Sequence, residues 1–286
     1  MQETSMSVAE QIRTRPLKGN FGVEVSGIDV KNADAQVRHE VVGLVRRHGA
    51  IVLRDQRFSP ADQVAFTRLF GEPAENIRPE YTLPEFPDIF VISNKVVNGK
   101  KIGDHEVGTG WHTDMPYAER PADVTILYAL EVPKTGSDTE IADLCAAWNA
   151  LPAEKQAQLD GRMIHHSYRH YAATRGYSFT EEQLEKVPDV WHPIVRRHPA
   201  DGRKTLYLGT GTVKGVTGMQ DQQGVELVAE LVAFATQERF VYPHKWKVGD
   251  VLVWDNACTL HRGTPFDAKN DTRLAHRTWV RGTRPH

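Results

Sequence analysis

The feature that most limits how this chain can fold is the brevity of its β-rich runs. Ile89-Phe-Val-Ile92, Val124-Thr-Ile-Leu-Tyr128, Thr205-Leu-Tyr-Leu208 and Val251-Leu-Val-Trp254 are short and bounded by Gly, Pro, Asn and Asp. Such punctuation suits an antiparallel barrel or sandwich. Helical spacing is confined to a few places. Val37, Val41, Val42 and Val45 recur at three and four within Ala35 to His48, ahead of Gly49, which predicts an amphipathic helix with a glycine stop. Ser59-Pro60-Ala-Asp62 reads as an N-cap, a proline at the first helical position and an acid at the third; the helix it opens should run through Phe66, Leu69 and Phe70 until Gly71 and Pro73. Further helical patterns lie at Cys145 to Leu159 and Gly224 to Thr236. Helices therefore decorate sheets and do not alternate with strands as a βαβ protein requires. The expectation is a mainly β protein with helices. Phe21 to Val30 reads as short strands or a hairpin, and Pro199-Ala-Asp-Gly202 as a hairpin turn. The first fifteen residues show no clear period, so 1–15 is expected to be a partly ordered tail and 16–286 a single domain.

Charge and composition exclude whole classes of partner. Among 286 residues, 35 Lys and Arg nearly balance 37 Asp and Glu, for a formal charge of -2, so nothing pulls the chain globally toward nucleic acid or anionic lipid. No apolar run reaches the roughly 18 residues of a membrane span, and Met1 to Arg15 lacks the apolar stretch of a secretory signal. Cys145 and Cys258 are the only cysteines, too few for a disulfide framework, which points to a reducing cytoplasm.

The most informative stretch is Gly110-Trp-His112-Thr-Asp114-Met-Pro116. In an extended chain, residues two apart point the same way, so His112 and Asp114 can share a divalent metal. The best third ligand is His261, after the run from Val251 to Leu260. Two histidines and one carboxylate, with other coordination positions open, is the arrangement of non-haem Fe(II) oxygenases. Taken alone the motif is weak: it is short, the chain has 13 histidines, and a single His at a strand end is more often a structural residue. Weight comes from Asp271 to Val280, where strand alternation sends Arg273, Ala275, Arg277 and Trp279 to one face. An arginine fork holds a carboxylate bidentately and keeps its charge, which suits a dicarboxylate co-substrate or an acidic substrate.

Other signals carry less. Gly209-Thr-Gly211-Thr-Val-Lys-Gly215 has the wrong spacing for a nucleotide loop and reads as a turn. His165, His166 and His170 lack the glutamate of a metalloprotease and read as ordinary polar contacts. Cys258-X-X-His261 lacks the second half of a zinc site, so Cys258 reads as a small packing residue. Val225 to Phe234 reads as core contact or a subunit interface.

Together, Trp111-His112-Thr-Asp114, Pro133-Lys-Thr-Gly136-Ser-Asp138-Thr139, Trp246-Lys-Val-Gly249-Asp250 through Trp254-Asp-Asn256 to His261-Arg-Gly263, and Arg273-Leu-Ala-His-Arg277 resemble the TauD/TfdA family of Fe(II)- and 2-oxoglutarate-dependent dioxygenases. The anchors occur in family order from about Gly22 to Thr283. The resemblance implies a double-stranded β-helix (jelly-roll) core with inserted and flanking helices. It implies His112, Asp114 and His261 as iron ligands, Thr139 and Arg273 as contacts of 2-oxoglutarate, and Arg277 as receptor of an anionic substrate group, with Arg78 and Tyr81 as further substrate candidates. The implied reaction consumes O2 and 2-oxoglutarate and releases succinate and CO2.

There are departures from the taurine branch. Arg273 lies twelve residues beyond His261, one more than that branch has, which places an insertion in the Arg262 to Ala268 loop. Arg78 replaces a histidine in Ile77-Arg-Pro-Glu-Tyr81, and Gly108-Thr-Gly110 lacks a polar amide. Arg239-Phe-Val-Tyr242 to His261-Arg-Gly263 reads closer to the aryloxyalkanoate (2,4-D type) branch. The expected substrate is thus a small organic anion with an apolar body, an aryloxyalkanoate cleaved at its ether, for a cytoplasmic homo-oligomer. The alternatives are a sulfonate or alkyl sulfate dioxygenase of the same family, a zinc-dependent hydrolase on the same ligands, and a cupin-like binding protein without activity.

Overall fold

The computed structural model describes residues 12–104, 108–175, 180–185 and 187–286. Strands β1 (Arg13–Lys18) and β2 (Phe21–Ser26) form an antiparallel hairpin. The expected tail 1–15 thus lies mostly outside the described residues, and Arg13 to Arg15 already pair in the sheet. Helix α1 (Ala35–His48) starts where Asp34 accepts the Val37 amide and ends where Gly49, at φ +77°, donates its amide to the Val45 carbonyl. A Cβ on Gly49 would lie 2.8 Å from the Phe21 ring, so both the left-handed turn and the packing call for glycine. β3 (Ala50–Leu53) follows directly and pairs parallel with β2. One helix does link parallel strands: β2, α1 and β3 form a single βαβ unit in an otherwise antiparallel pattern. Nothing in the local pattern distinguishes it, because β2 alternates as a hairpin strand does. Helix α2 (Pro60–Thr67) has the Ser59–Asp62 capping box, but stops short of Leu69 and Phe70, whose amides bond three residues back to Phe66 and Thr67.

The remaining elements are β4 (Thr82–Leu83), β5 (Phe86–Ser93), β6 (Val96–Val97), β7 (Lys100–Lys101), β8 (Ala122–Glu131), β9 (Thr139–Asp143), α3 (Leu144–Ala150), α4 (Ala153–Leu159), β10 (Met163–His166), α5 (Tyr168–Arg175), α6 (Glu181–Glu185), β11 (Val190–Pro193), β12 (Val195–Arg197), β13 (Lys204–Leu206), β14 (Val213–Val216), α7 (Asp221–Ala235), β15 (Val241–His244), β16 (Val251–Asp255), β17 (Thr259–Gly263) and β18 (Leu274–Arg281). The pattern from Cys145 to Leu159 is two helices because Pro152 disfavours helical backbone at Leu151. The turn at Pro199 to Gly202 joins β12 and β13 as an antiparallel pair.

An eight-stranded sheet runs β1-β2-β3-β16-β8-β18-β5-β4, and a smaller one runs β15-β9-β17. Strand alternation sorts side chains between layers. Val251 and Val253 of β16 face α1 and α2, packing with Val41, Val45 and Phe66. Leu252 and Trp254 face the other way and meet Ile141 of β9. On β9 the next residue, Ala142, turns outward with Leu260 against Trp148 of α3 and Leu231 of α7. The layers are helix, large sheet, small sheet, helix. The space between the sheets receives Phe90, Thr125, Thr139, His261 and Arg277, and positions the site. Among the described residues no helix is long and apolar enough to cross a membrane. Ile141 is fully buried at this interface, so Ile141→Ala should lower the unfolding free energy by about 2–5 kcal/mol. Urea denaturation checks this, and a loss below about 1 kcal/mol would contradict the packing described.

Candidate metal centre and adjoining cavity

His112 belongs to no long strand. Its backbone forms a reciprocal pair with β17: the His112 amide donates to the His261 carbonyl at 3.0 Å, and the His261 amide to the His112 carbonyl at 2.8 Å. This brings the two imidazoles to a ring separation of 4.1 Å. Asp114 lies between them, with Oδ1 3.8 Å from His112 Nε2 and Oδ2 3.5 Å from His261 Nε2. One ligand atom from each of the three residues falls within 4.8 Å of the others. The three sequence candidates for metal ligation therefore converge.

Their surroundings set the donor chemistry. His112 Nδ1 lies 2.8 Å from the Gly110 carbonyl, which can only accept, so the proton sits on Nδ1 and Nε2 carries the lone pair. Burial pushes the His112 imidazole below its ordinary range, and burial together with His112 pushes His261 down to about 3. Burial alone would raise the Asp114 carboxyl, but His261, Arg277, His112 and the Thr125 hydroxyl outweigh it and hold it at about 2. At neutral pH the cluster is two neutral imidazoles and one carboxylate, each in the form that ligates a divalent ion. The residues present fit such a metal.

Two supporting residues stand outside the sequence-derived site set. Thr125 on β8 donates to Asp114 Oδ2 at 2.6 Å and accepts from Asn256 Nδ2 at 2.8 Å. Asn256 Oδ1 in turn accepts the Asp114 amide at 3.3 Å and the Trp254 indole at 3.3 Å. Asn256 was legible as part of Trp254-Asp-Asn256; Thr125 gave no signal, being one polar residue in a β run.

His112 and Asp114 line a cavity of about 220 Å³. Arg277 lines it too, buried, its guanidinium carbon 3.9 Å from the Trp279 ring centre and 4.8 Å from that of Phe90. Among the described residues no carboxylate comes within ion-pair distance of Arg277, and its buried Nε lacks a partner. Arg273 does not share this cavity. It lies just before β18, beyond an irregularity in pairing at Leu274 and Ala275, and lines a narrow cleft with Ser137, Trp246 and Ala275. Thr139 borders the same place, since its hydroxyl accepts the Trp246 indole N–H at 3.0 Å. Burial and the Arg277 charge lower Arg273 to about 10, still a cation at neutral pH.

The loop expected to hold an insertion is anchored. Thr264 and Asp138 exchange hydrogen bonds, and Gly136, at φ +72°, packs so tightly that a Cβ would lie 2.2 Å from the Pro265 carbonyl oxygen. Arg78 also lines the main cavity but is ion-paired with Asp104 and with Glu80. Tyr81 is not a lining residue; it stands behind, 4.5 Å from the Arg78 guanidinium and 6.0 Å from Phe90 between ring centres.

Sequence reasoning missed most of the remaining wall. Thr210, Gly211 and Thr212, read as a plain turn, line the cavity, and the Thr210 hydroxyl donates to the Trp111 carbonyl. Tyr117, Tyr168 and Tyr171 form an aromatic side, with Tyr117 and Tyr168 ring centres 4.4 Å apart. Of the histidines set aside, His166 is buried against Thr212 at 2.9 Å and His165 stacks on Trp191, as structural contacts.

Comparison with known proteins adds the following. Residues 13–279 match the family described as "Taurine catabolism dioxygenase TauD, TfdA family". The chain is 35% identical over 278 residues to an alpha-ketoglutarate-dependent 2,4-dichlorophenoxyacetate dioxygenase of Cupriavidus pinatubonensis, covering 91% of this chain and 95% of that enzyme. It is 29% identical to a (S)-phenoxypropionate/alpha-ketoglutarate-dioxygenase of Sphingobium herbicidovorans, covering 91% and 92%. The crystal structure of AAD-2 in complex with Mn(II) and N-oxalylglycine superposes with a TM-score of 0.81 at 30% identity, covering 96% of this chain and 98% of that one.

Protons compete with a metal for these donors, and all three donor pKa values lie below their ordinary ranges. Acidifying from pH 8 to 6 should therefore weaken Mn(II) binding less than the more than about tenfold loss expected of two imidazoles titrating near 6.5. Calorimetric titration across that interval distinguishes the two cases.

Proposed function

Because the chain belongs to the TauD/TfdA family of 2-oxoglutarate-dependent non-haem iron dioxygenases, we propose that it hydroxylates a small organic anion with an aromatic body, an aryloxyalkanoate. In this reading residues 16–286 are one dioxygenase domain, and the two facing sheets are its double-stranded β-helix. His112, Asp114 and His261 hold Fe(II), Arg273 takes the distal carboxylate of 2-oxoglutarate, and the Thr139 hydroxyl contacts the co-substrate beside it. The bound iron supplies the redox chemistry by which O2 and 2-oxoglutarate become succinate and CO2 while one oxygen enters a substrate C–H bond.

The observation that carries this reading is Arg277. A buried guanidinium with no carboxylate at ion-pair distance among the described residues is costly, and an anion arriving in the shared cavity offsets that cost. The same anion is then held beside His112 and Asp114, which line that cavity. Phe90, Trp279 and the three tyrosines give the rest of the wall an aromatic character that suits an aryl ring. Hydroxylation at the carbon bearing the ether oxygen gives a hemiacetal, which collapses to a phenol and a keto acid. The chain's own part is to orient that carbon and exclude water.

A sulfonate or alkyl sulfate would satisfy Arg277 equally, and only the aromatic lining argues against an aliphatic one. The zinc-hydrolase and inactive-binder readings leave Arg277 and Arg273 without a task, and family membership speaks against both.

Succinate release, dependent on ferrous iron, across aryloxyacetates, aryloxypropionates, alkyl sulfates and alkyl sulfonates tests the assignment. Turnover with the aryloxyalkanoates and phenol release are expected; turnover confined to alkyl sulfonates or sulfates would overturn it. Arg273→Ala should raise the 2-oxoglutarate requirement at least about tenfold, and Arg277→Ala that for the primary substrate. If Arg277→Ala left the substrate requirement unchanged, its role as anion receptor would fall.

A further inference from the structure

Cys145 and Cys258 are distant in sequence but meet in the fold. The Leu144 amide donates to the Cys258 carbonyl at 3.0 Å, continuing the β9–β17 ladder by one step. Cys145, the next residue, is thereby set beside Cys258. Both sulfurs turn to one guanidinium: Arg203 Nε lies 3.3 Å from Cys145 Sγ, and Arg203 Nη2 3.9 Å from Cys258 Sγ. Cys258 and the Arg203 guanidinium lower the Cys145 thiol to about 7, while Cys145 and burial raise Cys258. Cys145 is partly exposed, while Cys258 is buried.

His198, Asp255 and Cys258 also bring their ligand atoms within 4.8 Å of one another. A metal there is disfavoured. Asp255 is already occupied by Arg46 at 2.7 Å and His198 at 3.1 Å, and Arg203 covers the sulfurs, so two fixed guanidiniums hold the place a cation would need. The same positive charge favours a thiolate.

We propose that Cys145 and Cys258 form a peroxide-reactive dithiol site, in which Cys145 reduces a hydroperoxide and Cys258 then closes an intramolecular disulfide. The Cys145 thiolate attacks one peroxide oxygen, the O–O bond breaks, and the departing oxygen leaves as an alcohol, or as water when the oxidant is hydrogen peroxide. Cys145 is then a sulfenic acid. Cys258 attacks its sulfur, its thiol proton goes to the departing hydroxide, and water leaves. In sum two thiols lose two electrons and two protons, and one hydroperoxide becomes one alcohol and one water. Arg203 holds the attacking thiolate, and Cys258, shielded from solvent, acts only after Cys145 has reacted. The disulfide would tie the start of α3 to the turn that carries Asn256.

The test uses the full chain, reduced, desalted and without added iron, exposed to limiting hydrogen peroxide, alkylated and mapped by mass spectrometry. The expected product is a single cross-link between the Cys145 and Cys258 peptides, reversed by dithiothreitol. Cys258→Ser should stop at a dimedone-trappable sulfenic acid on Cys145, and Cys145→Ser should slow oxidation of Cys258 at least about tenfold, since the accessible attacking thiolate is gone. Succinate release by both variants reports that they are folded. Over-oxidised Cys145 with Cys258 still free in the wild type would overturn the proposal. So would inert thiols at a peroxide exposure that oxidises free glutathione, or an unchanged Cys258 rate in Cys145→Ser.

Discussion

The reciprocal main-chain pairing of His112 with His261 is the contact on which the site depends. These residues lie far apart in sequence, and His112 sits in a segment with little regular structure. Two backbone hydrogen bonds nevertheless hold it as if it were one more strand beside β17. The pairing fixes the distance between the imidazoles, and the extended step from His112 to Asp114 then delivers a carboxylate to both. β17 is itself held by β9, whose Ile141 is packed against the large sheet. The precision of the metal centre is therefore inherited from the inter-sheet core.

Electrostatics divides the space between the sheets into two compartments. β18 carries Arg277, Arg273 immediately precedes it, and the irregularity at Leu274 and Ala275 lies between them. Arg277 faces the open cavity and Arg273 a narrow cleft beside Trp246 and Thr139. Each cation lacks a protein carboxylate within ion-pair distance among the described residues, and each lies where a ligand anion can supply one. Asp114 is the exception that makes this tolerable: buried and ionised, it opposes part of the Arg277 charge, while the Thr125 and Asn256 hydrogen bonds keep its oxygens aimed at the histidines. Charge that would be destabilising without ligands is thus arranged to recognise them.

Much of this was legible in the residues. The capping signals at Ser59 and Gly49, the strand runs and the His-X-Asp motif are local, so spacing alone exposes them. The shared face of Arg277 and Trp279 was legible for the same reason. What spacing could not show was non-local. The parallel pairing of β2 with β3 depends on where α1 lands, and the separation of Arg273 from Arg277 depends on a ladder irregularity invisible in an alternating pattern. The cavity wall at Thr210 to Thr212, the tyrosine side and the role of Thr125 arise from which loops and strands meet across the sheets. Tyr81 was a substrate candidate only through the resemblance of the Ile77 to Tyr81 stretch, and in the fold its ring packs against Arg78 and Phe90.

In the proposed reading, His112, Asp114 and His261 hold one divalent ion at the edge of the Arg277 cavity. An anomalous difference map from a crystal of the protein soaked with Mn(II) tests it most directly. One strong peak about 2.0–2.3 Å from a ring nitrogen of each histidine and from an Asp114 oxygen is expected. No peak at these residues, or a dominant peak at His198, Asp255 and Cys258 instead, would contradict it.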